Sequence, residues 1–258
     1  MEQLTALLDF STPAFTGIVL VLMRIGAVAA LLPGFGEQSI PMRVRILVTL
    51  SFTAIVWPAV SPLFTEAPNT LAEMPMLMII EAMIGLMIGI SIRLLVMALQ
   101  LAGSIAAQST SIAQIAGAGA TPDPMPAVGN LLVMAGLALV LVSGLHVKAA
   151  MAMIESYSIL PQGVLPAGSE VAAWGTAHVA SAFSLALGMA APFVVMSFAY
   201  NIGLGAINRA MPSLMVAFIG APAITAGAIF LLALTAPIIL TFWNAHIDEV
   251  LQNPLGMP

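Results

Sequence analysis

Apolar runs of bilayer length recur along this chain and constrain its fold more than any other feature. They lie near Phe10–Leu32, Arg45–Leu63, Met74–Leu99, Ala127–His146, Thr176–Tyr200 and Leu214–Trp243. A helix crosses the hydrocarbon core in about 20 residues, so each run is long enough to span. A spanning backbone must satisfy its own hydrogen bonds, and the alternating pattern of strands is absent, which leaves helices. The expectation is an all-α membrane protein of about six hydrophobic helices, several of them kinked or hairpin-like. Residues 1–258 read as a single integral membrane domain. Composition agrees: 61% of residues are hydrophobic and 7% charged, against about 25% charged in a soluble domain. So few charges cannot cover a water-facing surface.

The same inventory excludes several functions. With no cysteine, disulfides, zinc thiolate sites and thiol catalysis are ruled out. A net charge of −5 without a basic run argues against nucleic acid as a partner. Glu2 and Asp9 stand where a cleaved signal peptide carries positive charge, so the first run reads as a retained anchor. An outside N-terminus would put Arg43, Arg45 and Arg209 on the cytoplasmic side and Lys148 outside, the orientation that positive residues favour.

Proline and glycine punctuate the runs. Pro33-Gly34-Phe35-Gly36 ends the first, Trp57-Pro58 and Ser61-Pro62 end or kink the second, and further breaks fall at Thr121–Pro126 and at Leu160-Pro161-Gln162-Gly163. The stretch Gly103–Ala120 is different. It carries no charge but holds Ser104, Gln108, Ser109, Thr110, Ser111 and Gln114, and it ends in Gly117-Ala118-Gly119-Ala120. Irregular backbone at membrane depth is tolerated where it lines a cavity. Two readings stand side by side: a re-entrant or pore-facing loop, or an interhelical loop with helical character.

Three ionisable residues, Arg24, Glu81 and Arg93, fall inside apolar runs. Such groups usually face the bundle interior or a wet cavity. Glu81 and Arg93 are separated by about 18 Å on one helix and cannot pair, whereas Glu81 can meet Arg24 on a neighbouring helix. A proton relay is one reading. A structural ion pair, with Arg93 snorkelling to the interface, is the favoured one. Gly85 and Gly89 share a helix face with Glu81 and permit close approach of another helix, from this chain or a partner. His246 and Glu249 have metal-ligand spacing, but no further ligand lies nearby in the sequence. No nucleophile elbow, phosphate loop or metalloprotease motif is present. The chain therefore reads as a non-enzyme without cofactor or metal.

Several ordered motifs carry a resemblance. Met23-Arg24-Ile25-Gly26 precedes Leu32-Pro33-Gly34-Phe35-Gly36 and Ile40-Pro41-Met42-Arg43-Val44-Arg45. Glu81-x-x-x-Gly85-x-x-x-Gly89 follows, then Ser158-Ile159-Leu160-Pro161-x-Gly163, then Asn208-Arg209-Ala210-Met211-Pro212 and Ile219-Gly220-Ala221-Pro222. In this order they resemble the family of the flagellar biosynthetic protein FliR, a membrane component of the type III export gate. The resemblance implies a subunit of the bacterial inner membrane and flagellar basal body that assembles with FliP- and FliQ-like subunits into a channel for unfolded flagellar proteins. It also implies work beside FlhA- and FlhB-like gate proteins. The loop after the third span, here with Gly103, Gln108, Gln114, Gly117 and Gly119, would help to close the pore. The spans would form bent hairpins, many of them outside ordinary contact with membrane lipid. The alternatives are the homologous subunit of a virulence injectisome and, in a different class, a proton-coupled small-molecule transporter with Glu81 as its proton site. No repeat relates the two halves of the chain as such transporters often show.

Overall fold

A computed structural model describes residues 2–37, 39–64, 72–110, 127–211 and 216–256. The described residues form helices joined by turns: α1 (Glu2–Leu31), α2 (Met42–Val60) with a short 3-10 turn Ser61–Leu63, α3 (Met74–Ser109), α4 (Ala127–Val142), α5 (Leu145–Ile159), α6 (Gly168–Ala210) and α7 (Val216–Gln252). No strand occurs among them. Five helices are long and apolar enough to cross a membrane, or six if the broken pair α4 and α5 counts as one span.

The second run ends at Ser61-Pro62 as expected, where the 3-10 turn opens, with Pro58 inside the last turn of α2. Three expectations from the sequence change in detail. The run Ala127–His146 is not one helix. It breaks at Ser143-Gly144, where Gly144 takes φ 84, the left-handed conformation that stops a helix, and α5 starts afresh at Leu145. The third helix continues past Leu99 to Ser109, so the first part of the uncharged stretch, including Gly103 and Gln108, is regular helix. The rest of that stretch, with Gln114, Gly117 and Gly119, lies outside the described residues, as does the Thr121–Pro126 break. Lastly, α6 is 43 residues long. At ~1.5 Å per residue its contour is about 64 Å, twice the ~30 Å hydrocarbon core, so it cannot be a simple lipid-spanning rod.

The residues gather into two compact units. The first comprises Met1–Leu94, Leu141–His178 and Ile247–Pro258. Its core takes Leu20, Val21, Ile25, Val28 and Leu32 from the α1 stretch and Ile80, Ile84, Ile88 and Ile92 from α3, all buried and recurring at the spacing of one helical face. The glycines of α3 bring these two faces together. A Cβ on Gly85 would overlap the carbonyl of Arg24 and lie 2.9 Å from the Cβ of Ala27, and one on Gly89 would lie 2.9 Å from the Cβ of Leu31. The Gly85/Gly89 face therefore packs within the chain, against α1. The C-terminal end joins this unit through buried Ile247, Leu251 and Leu255 and an ion pair between Lys148 and Asp248 (2.6 Å).

The second unit comprises Leu95–Val140 and Val179–His246. Here too small residues set the distances. A Cβ on Gly103 would overlap the backbone of Gly129 on α4, and one on Gly136 would lie 2.7 Å from Leu99. Trp243 fills the space beside Gly136, is fully buried, and donates its indole N–H to the carbonyl of Leu95 at 2.7 Å. Ser197 on α6 donates to the carbonyl of Ser109, the last residue of α3, at 2.5 Å.

Because α1 and α3 meet backbone to backbone at Gly85, a large side chain there must push them apart. Gly85→Leu is expected to destabilise the isolated chain by ~1–3 kcal/mol or more, seen as a lower thermal midpoint in mild detergent. An unchanged midpoint with failed assembly would assign the face to a partner subunit instead.

Candidate functional site: a buried ionic node

Arg24 on α1 and Glu81 on α3 are 1% and 0% exposed. Taking either charge out of water alone costs several kcal/mol, so each needs compensation from its neighbours. The first compensation is mutual. Arg24 Nε donates to Glu81 Oε2 at 2.7 Å and Nη2 donates to Oε1 at 3.2 Å, the two-pronged geometry that suits a planar guanidinium.

The remaining capacity is met by α5 and the turn after it. Arg24 Nη1 donates to the hydroxyl of Ser156 at 3.2 Å, and Nη1 and Nη2 both donate to the carbonyl of Leu160 at 3.1 Å. The guanidinium carbon stands 3.7 Å from the centroid of the Tyr157 ring, where the ring face attracts a cation. The Tyr157 hydroxyl donates to Glu81 Oε2 at 3.3 Å, and the backbone N–H of Gly163 donates to Oε1 at 3.1 Å. Glu81 thus accepts from four donors.

Local sequence explains why this turn can serve. Pro161 has no N–H and cannot continue the helix. Leu160 is extended (φ −124, ψ 94), and its carbonyl is left to accept from Arg24. Gly163 takes φ 72, a conformation open to glycine at little cost, and a Cβ there would come within 2.8 Å of Leu77. Aromatic rings back the node: Phe64 lies 5.7 Å from Tyr157 and 5.5 Å from Trp57. The ion pair therefore grips both ends of the 160–163 turn, the carbonyl end through Arg24 and the N–H end through Glu81. Such an arrangement holds charge in place. A guanidinium can only donate, and the carboxylate is committed to four donors.

The other expected residues fall elsewhere. Arg93 does not join Glu81. Its Nη1 pairs with Glu37 Oε1 at 2.6 Å, with both side chains about a third exposed, and exposed pairs of this kind contribute little. Gly103 is buried against Gly129, while Gln108 is exposed. No group of three metal-binding side chains occurs among the described residues, around His246 and Glu249 or elsewhere. Sequence reasoning missed Tyr157, Ser156 and the Glu37–Arg93 pair. Only the proline and glycine of the 158–163 motif hinted that backbone groups would be offered there.

Fold and node together define a multi-pass helical membrane protein whose fully buried charges tie its own helices together. The family model described as bacterial export proteins, family 1, matches residues 15–250, and the chain belongs to that family. Among its relatives, the flagellar biosynthetic protein FliR of Caulobacter vibrioides is 33% identical over 90% of this chain and 93% of its own length. FliR of Escherichia coli is 24% identical over 89% and 87%, and FliR of Pectobacterium carotovorum is 27% identical over 88% and 87%.

The turn geometry generates a direct test. Gly163→Ala should cost ~1–3 kcal/mol, from an unfavourable backbone conformation and crowding of Leu77. A thermal midpoint equal to wild type would contradict the role given to this turn.

Proposed function

We propose that this chain is a subunit of the flagellar type III protein export gate, residing in the bacterial inner membrane. There it forms, with FliP- and FliQ-like subunits, the channel through which unfolded flagellar proteins leave the cell, beside FlhA- and FlhB-like components. The observation that carries this reading is the full-length likeness to a relative named flagellar biosynthetic protein FliR, at 33% identity over 90% of the chain. The fold supports it. Exposed large hydrophobics run along α2, α6 and α7, among them Leu47, Ile55, Phe183, Phe198, Phe230 and Phe242, more apolar surface than a lone soluble-facing subunit can carry. The length of α6 suits a helix that continues beyond the lipid into a protein assembly.

The protein acts as a conduit and carries out no reaction of its own. Within it, the uncharged stretch with Gly103, Gln108, Gln114, Gly117 and Gly119 is the segment we assign to closing the pore. A seal for chains of every composition is better without fixed charge. A charge would bind oppositely charged substrate and be left desolvated when the pore shuts.

Two outcomes test this. Co-expression with FliP- and FliQ-like subunits should yield one stable complex by affinity purification, whereas the chain alone should be less stable and polydisperse. A monodisperse monomer as stable as the complex would count against it. In cells, Glu81→Gln should reduce the amount of complex but leave export per assembled complex close to wild type, because Glu81 is a structural acceptor. Normal assembly with abolished export would make Glu81 a proton relay instead.

A further inference from the structure

An apolar groove of about 450 Å³ opens between α2 and α5 in the first unit. Phe35 and Phe52, packed edge to face at 6.2 Å, contribute to its lining. Val44, Leu47 and Ile55 line it from α2 and Val147 from α5. Two polar residues reach it. The hydroxyl of Ser51 is already committed to the carbonyl of Leu47 at 2.8 Å, and His146 stands in the first turn of α5. From Val44 to Ile55 the groove follows α2 for about 16 Å. It is long and apolar along its length, the shape for an alkyl chain rather than a compact polar ligand.

One end of the groove is positive. The carboxyl ends of α2 and α5 approach each other through Phe64 and Tyr157, and Val44 and Val147, near their amino ends, both line the groove, so the two helices begin at the same end. Arg43 is exposed there, in the first turn of α2 and one turn before Leu47. It has no ion-pair partner among the described residues. Neither helix carries an acidic residue in its first turn or a side chain capping its amino end, and a helix amino end favours negative charge. Two acids of this unit, Glu37 and Asp248, are each bound to a cation, Arg93 and Lys148.

We propose that this groove binds one acyl chain of an anionic phospholipid, with the headgroup phosphate held by Arg43 at the amino end of α2. The chain as a whole bears −5 and has little general attraction for anionic lipid, so the preference arises at this site. Basic residues beside an apolar surface are the usual means of selecting such headgroups.

The test uses the intact complex, co-expressed and extracted in mild non-ionic detergent. Phosphatidylglycerol or phosphatidylcholine with matched chains is added, and bound lipid is counted by native mass spectrometry. Wild type should retain phosphatidylglycerol in preference. Arg43→Gln, at an exposed position, should leave the fold intact and cut that preference about fivefold. Val48 also lines the groove, and Val48→Trp should fill it and lower retention of both lipids. The proposal is overturned if wild type shows no preference, or if Arg43→Gln leaves it unchanged. It is also overturned if a photo-crosslinker at position 47 captures a protein subunit instead of lipid, which would give the groove to a partner helix.

Discussion

Two opposite charges sealed from water organise the first unit. Arg24 and Glu81 come from helices 57 positions apart in sequence, and neither can be buried without the other. Their remaining hydrogen-bonding capacity then dictates what must lie beside them: a hydroxyl from Ser156, an aromatic face and hydroxyl from Tyr157, a free carbonyl from Leu160 and a free N–H from Gly163. One ion pair thus fixes the contact of α1 with α3 and the path of the chain as it leaves α5. In a protein whose packing is otherwise apolar, this polar network supplies the register that nondirectional contacts cannot.

Glycine does the complementary work. Gly85 and Gly89 let α1 lie on α3, while Gly103 and Gly129 let α3 and α4 touch in the second unit. Where the hydrophobic effect gives no drive between helices in lipid, close packing of this kind is the main source of attraction. Outside these contacts, α2 and the long α6 and α7 keep broad apolar faces exposed. That division, with a tightly held interior and apolar outer faces, is the form expected of a subunit that completes its burial against lipid and neighbouring subunits.

Much of this was legible in the residues. Run length announced helices of membrane-spanning size, and the helical spacing of Glu81, Gly85 and Gly89 marked one interior face of α3. Burial of Arg24 and Glu81 followed from the cost of leaving either in lipid. What could not be read was how backbone groups are supplied to a charge. The carbonyl of Leu160 and the N–H of Gly163 are invisible to side-chain reasoning, and nothing in the sequence marked Tyr157 as a partner of the ion pair. One helix end was misjudged because glycine was given too little weight, at Gly144. In the Gly103–Ser109 stretch hydroxyls suggested irregular backbone. There Ser104 and Ser109 bond carbonyls of their own helix and remain compatible with it.

The central claim is that Arg24 and Glu81 act as one structural unit, and a double-mutant cycle tests it most directly. Arg24→Met, Glu81→Met and the double mutant would be compared with wild type by reversible unfolding in mixed detergent. Each single change should cost ~3–5 kcal/mol, because it leaves an unmatched buried charge. The double mutant, with no charge to strand, should be destabilised by far less than the sum of the two. A double mutant whose loss equals that sum would show that the two residues act independently, and would contradict the account.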